Sequence, residues 1–303
     1  MLEEHLGMVG RIIALLYIII FLLVASLYLR IFIDFLTITV LNNTPATLII
    51  LCLLIPGVYA VRSGAEVFAR TSEVILVVFL PLAIILLLAA ATENPDWRNL
   101  MPVGFISMRD LTHAVYLNLW HFANVILVLN LAYFSPRREQ IPRLLLIFLV
   151  VLTVFLSIAL LVTIITLGVA ITSRSTFPLF EIARSASYAG FIRNTEPLFV
   201  SIFMLGIFVS VVSFWIIACY STQQVFRLKD YRFLAAPSAI IIAFQAVLIA
   251  PNTFGVFRIL RHSAPLLFGF FFVLIPFLLY ILLLFKPELE QKSNSGLQNE
   301  TES

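Results

Sequence analysis

Residues 116–130 read YLNLWHFANVILVLN, an apolar stretch into which three asparagines and a histidine are set. At about 100° per residue, Asn118, His121 and Asn124 fall within about 120° of one another around a helix, while Leu119, Phe122 and Ile126 point elsewhere. Each amide brings donors and an acceptor, and a neutral imidazole brings one of each. Such a face could bind a small zwitterion through hydrogen bonds while keeping full charges of its own out of hydrocarbon. Polar groups inside membranes turn toward the bundle interior or a water-filled cavity, where they pair or meet a ligand. The competing reading makes these side chains interhelical bonds only, worth well under about 2 kcal/mol each. Asn130 lies on another face and fits that second reading better.

Other polar groups stand singly or in pairs. Arg30 and Asp34 are four residues apart at the end of the first apolar run, a spacing that allows an ion pair. The favoured reading is an arginine snorkelling to the interface beside a loop aspartate. Gly206, Ser210 and Ser213 repeat at four and three residues, a small-residue stripe that lets helices approach closely and, secondarily, faces a ligand. Gln245 is a lone amide expected to bond between helices. Cys52 and Cys219, the two cysteines, stand in apolar runs and read as small buried hydrophobes.

Catalysis and metal binding find little support. The four histidines, His5, His113, His121 and His262, have no second histidine at metal-ligand spacing. The aspartates fall in loops or at span ends, and no glycine-rich phosphate loop precedes a helix. No cofactor or metal is expected. The 19 Lys and Arg residues give a net charge of +3 but form no basic face, so a nucleic-acid partner is not expected either.

The elements that must carry these residues follow from composition. The chain of 303 residues is 62% hydrophobic and 12% charged, against roughly 25% charged in soluble domains, and its mean hydropathy is +1.08. A bilayer core needs about 20 apolar residues in a helix. About eight runs qualify: 12–33, 46–61, 73–92, 111–134, 144–171, 197–219, 233–251 and 264–285. The second contains Pro56-Gly57 and is expected to be broken or tilted. The runs lack the alternation of barrel strands, so the expected fold class is all-α, a polytopic transmembrane bundle over residues 1–286. Lys and Arg concentrate on the side holding both termini, which favours cytoplasmic ends. Residues 287–303 are polar and expected to form a disordered tail. The segment 173–196 mixes apolar and charged residues and suits an interfacial or re-entrant piece. The acidic N-terminus before a long apolar run does not fit a cleaved secretory signal.

Several segments in order, NTPATLIIL, YAVRSGAEVFARTSEV, WRNLMPV, FSPRREQIP and STFPLFEIARSASYAGFIRNTEPLF, give the chain a resemblance over residues 7–285 to the B subunit of spore-germination nutrient receptors. These are similar to amino-acid permeases of the APC superfamily. The resemblance implies an integral protein of the inner spore membrane that works with A and C subunits in the lipid bilayer. It further implies sensing of a nutrient, often an amino acid, in a permease-like pocket. The family has ten spans in two inverted five-helix halves, and the first run here corresponds to its third, so two helices are lacking at the N-terminus. Run 111–134 then opens the second half, where a discontinuous helix borders the ligand site. By the same correspondence Tyr17, Ser26, Ser210 and Ser213 become second-rank lining residues behind Asn118, His121 and Asn124. A secondary amino-acid transporter and a non-binding membrane scaffold are the alternatives.

Overall fold

In hydrocarbon every backbone N–H and C=O must be bonded within its own segment, so the apolar runs have one economical answer. The computed structural model describes residues 2–91, 95–101, 104, 107–118, 125, 127, 140–185 and 195–284, the side chains of 2–7, 9, 280 and 282–284 excepted, and among them there is helix and loop but no strand. The protein is an all-α polytopic membrane protein. The helices are α1 (Leu2–Thr39), α2 (Ala46–Ser63), α3 (Ala65–Ala91), α4 (Met108–Asn118), α5 (Ile141–Arg174), α6 (Pro178–Ser185), α7 (Glu196–Phe226) and α8 (Ala235–Leu248). After them come α9 (Thr253–Arg258), α10 (Ala264–Phe268) and α11 (Ile275–Leu284), joined by π-turns at Ile259–Ser263 and Gly269–Leu274.

Six described helical stretches are long and apolar enough to cross a bilayer: Gly10–Thr39, Ala46–Ser63, Ala65–Ala91, Ile141–Arg174, Glu196–Phe226 and Thr253–Leu279. The run at 233–251 yields the shorter apolar helix Arg232–Leu248. Of the run at 111–134, residues up to Asn118 are described as α4, together with Val125 and Leu127. The tail at 287–303 lies outside the described residues. Two starts differ from expectation for one reason: polar first turns are invisible to an apolarity criterion. α3 begins at Ala65, eight residues early, and its polar turns carry an Arg70–Glu66 ion pair of 2.9 Å. The last span begins at Thr253 and includes Arg258, Arg261 and His262. Of the break or tilt expected at Pro56-Gly57, the break does not occur, since α2 runs unbroken through Pro56.

The chain divides into two compact units. In the first, residues 1–106 and 127–256, α1 is the central helix, packed mainly on α7 and next on α8, with α2 against both of those. Its fully buried side chains include Phe21, Val24, Leu29 and Phe35 from α1, and Val211, Val212, Phe214 and Trp215 from α7. Lipid tails are as apolar as leucine, so close packing of this kind, more than exclusion from water, holds such helices together.

Two features of this unit tie α6 and α5 to the bundle. Phe35 meets Phe177, Phe180, Phe199 and Phe203 at ring-centroid distances of 4.1 to 6.1 Å. Phe180, Ile182 and Ala183 of α6 are buried. Segment 173–196 therefore folds back into the bundle where it is described. α5 is interrupted at Gly168, whose φ of 75° only glycine adopts readily. The carbonyl of Ile165, whose helical donor would be Val169 N–H, accepts instead from Asp96 N–H at 3.0 Å and the Asn99 amide at 3.4 Å. The 3₁₀ turn Trp97–Leu100 thus caps the break.

The second unit comprises residues 107–126 and 257–303. Its described part is α4 together with the last helical stretch, and α4 packs on the first π-turn and on α10.

Candidate functional site

α4 carries the first of the expected ligand residues. Its last residue, Asn118, is exposed, and its amide donates to the carbonyl of Ala114 one turn earlier at 2.8 Å. Such a bond is weak to displace: a ligand that engages the amide exchanges one hydrogen bond for another. His121 and Asn124 lie outside the described residues. Two residues before Asn118, and so on the opposite side of the helix, Tyr116 donates its hydroxyl to the carbonyl of His262 at 3.1 Å. A π-turn releases carbonyls from the regular helical ladder. In this one the His262 carbonyl is taken by Tyr116, and the Arg258 carbonyl lies 3.2 Å from the His262 ring Nδ1. Tyr116 fixes which side of α4 faces the last helix, and Asn118 is turned from it.

The second-rank residues lie in the first unit. Ser26 is fully buried on α1, with its hydroxyl 2.7 Å from the carbonyl of Leu22 and 2.9 Å from the side-chain amide of Gln245 on α8. One hydroxyl proton serves one acceptor at a time, so Ser26 donates either to the Leu22 carbonyl or to the amide oxygen Oε1 of Gln245. Gln245 is thus an interhelical bond. Tyr17 is half-buried and stacks obliquely on Phe21 at 5.7 Å. It stands nine residues from Ser26, about half a turn round the helix, so the two do not share a face. On α7, Ser210 and Ser213 are half-buried, and Ser210 donates to the carbonyl of Gly206 at 3.0 Å. At Gly206 no described atom beyond the adjoining turns of its own helix lies within 4 Å of where a side chain would begin.

The pairing of Arg30 and Asp34 departs from the snorkelling expectation. Arg30 Nε lies 3.2 Å from Asp34 Oδ1, and the side chains are only 13% and 7% exposed. The aspartate belongs to α1, which continues to Thr39, and it turns inward. Arg30 Nε and Asp34 Oδ2 are both buried with no hydrogen bond of ordinary geometry.

Sequence reasoning missed a polar knot among α2, α7 and α8. The Trp215 indole N–H donates to the Ser238 hydroxyl at 2.6 Å, and Cys219 Sγ lies 3.4 Å from the same oxygen. The indole is seated against Gly57 of α2. The available signal is Gly57 itself, whose missing side chain leaves the room that the indole fills. Cys219 is buried as expected, whereas Cys52 is exposed on α2.

Comparison with known proteins follows the same architecture. Spore germination protein KB of Bacillus subtilis (strain 168) is 26% identical over 282 residues, which cover 92% of this chain and 76% of that protein. No solved structure matches. The sequence profile described as "Spore germination protein" matches residues 2–254, most of the length and nearly all of the first unit, and the chain belongs to that family.

Proposed function

We propose that this protein is the nutrient-sensing membrane subunit of a spore germinant receptor. It works with A and C subunits in the inner spore membrane, with both termini cytoplasmic. The observation that supports the reading most is the family match across residues 2–254, joined to a membrane-spanning helical bundle. The nutrient, an amino acid by preference, binds the face formed by Asn118, His121 and Asn124. There, amide and imidazole groups replace the ligand's water shell. The role is one of recognition, not catalysis. Sensing requires that the ligand bind one arrangement of the helices more tightly than another, since equal affinity shifts no population.

The test is a germination dose response in spores carrying Asn118→Leu and Asn124→Leu, with the protein's level in the membrane measured alongside. The expected result is a higher nutrient concentration for half-maximal germination at an unchanged protein level. An unchanged response in both variants removes these residues from the site. The same bundle could instead move its ligand across the membrane. A transporter predicts accumulation of labelled amino acid in vesicles and dependence on a coupling ion, and a sensor predicts neither.

A further inference from the structure

The end of α5 and the start of α6 border a shallow, open cleft of about 340 Å³ lined by Ala170, Ile171, Arg174, Ser175 and Glu181. Binding clefts for small molecules run upward from about 300 Å³. The break at Gly168 sets the last turn of α5 apart from the rest of that helix, and the burial of Phe180, Ile182 and Ala183 holds α6 in place. Two rigid pieces therefore bring one cation and one anion to the same hollow. Neither Arg174 nor Glu181 makes an ion pair among the described residues, although a neighbouring arginine does: Arg184 lies 3.5 Å from Glu196. The Ser175 hydroxyl also has no hydrogen-bond partner among the described residues.

The location narrows the ligand. α5 is a membrane-spanning stretch that ends at Arg174; its buried residues, Ala159, Val162, Thr163 and Ile165, all precede the break at Gly168. Val169 and Ile171, beside the cleft, are both more than half exposed. Exposed apolar side chains on a membrane span suit lipid tails, and Arg174, the last residue of the span, holds the position where spans meet lipid headgroups.

We propose that this cleft binds the headgroup of a phospholipid that carries a primary amine. Its phosphate meets the Arg174 guanidinium and the Ser175 hydroxyl, its ammonium donates to the Glu181 carboxylate, and its acyl chains run down the exposed face of α5. A guanidinium grips phosphate through paired N–H donors. A primary ammonium has three N–H donors for a carboxylate, whereas a trimethylated one has none. A headgroup bearing a hydroxylated alcohol offers Glu181 no charge at all. The site therefore distinguishes phosphatidylethanolamine from phosphatidylcholine and phosphatidylglycerol.

The experiment presents the full chain, purified in detergent, with equal amounts of these three lipids of matched acyl chains, and counts bound lipid by native mass spectrometry. The expected result is one phosphatidylethanolamine retained per chain with at least a tenfold preference over the other two. Arg174→Ala and Glu181→Gln each lose that preference, and Arg184→Ala, which breaks the neighbouring pair, keeps it. Equal retention of the three lipids overturns the proposal, as does a preference that survives both substitutions. Displacement of the bound lipid by free glycine also overturns it, by making the cleft a site for a zwitterion from water. Because Glu181 stands on the half-exposed side of α6, Glu181→Gln preserves shape and fold, and a loss in that variant alone reads the headgroup contact.

Discussion

Gly57 of α2 and Trp215 of α7 share one position in space: a side chain begun at residue 57 would stand 2.8 Å from Cζ3 of the indole. Real carbon neighbours do not approach so closely, and the listener to any change at residue 57 is a fully buried ring. The ring is also held from its other end by the bond to Ser238. Gly57→Ala must push it out of that bond or push the helices apart. Overpacking of this kind costs about 1–3 kcal/mol. We expect a lower midpoint of thermal unfolding in detergent, with partial recovery when Trp215→Phe is added. A Gly57→Ala protein as stable as the parent would show that α2 and α7 are not packed as described.

The buried Arg30–Asp34 pair makes the sharpest stability prediction. Removing one partner leaves the other as an uncompensated charge, at a cost of about 3–5 kcal/mol. Asp34→Ala and Arg30→Ala are each expected to reduce the folded yield from membranes severely. The double substitution with leucine and methionine removes both charges and is expected to recover most of that yield. If the single variants express normally, the pair is solvated and α1 does not turn it inward.

The Ser26–Gln245 bond predicts a small effect. Interhelical hydrogen bonds in membranes average about 0.6 kcal/mol, because the separated helices also find partners. A double-mutant cycle with Ser26→Ala and Gln245→Leu should return a coupling of that order. A coupling near zero would mean that the two side chains do not bond.

Tyr116→Phe leaves the His262 carbonyl without its cap and frees α4 to roll. The expected readout is faster modification of a cysteine at residue 118 by a water-soluble maleimide, in a chain whose own cysteines are replaced by serine. An unchanged rate would show that the bond does not set the orientation of α4.

The sequence by itself determined that the chain is helical and crosses a membrane. Apolar runs of sufficient length leave the backbone no other way to satisfy its hydrogen bonds. It also indicated that Gln245 would bond between helices and that segment 173–196 could fold back, because a lone amide and an alternation of phenylalanines with charges are costly to leave facing lipid. The three polar residues at 118, 121 and 124 were equally visible, although only Asn118 is among the described ones.

Tertiary structure decided the rest. Hydropathy does not tell a side chain facing lipid from one facing another helix, since both surroundings are apolar. That is why Arg30 and Asp34 could be read as an interfacial pair when α1 carries them inward, and why Cys52 and Cys219, alike in sequence, end on opposite sides of burial. The same blindness concealed the Gly57 seat, which exists only because Trp215, 158 positions later in the chain, arrives beside it. Residue 168 gives the complementary case. A glycine in an apolar run says that a break is permitted, but only Asp96 and Asn99, brought from another loop, supply the donors that make it affordable.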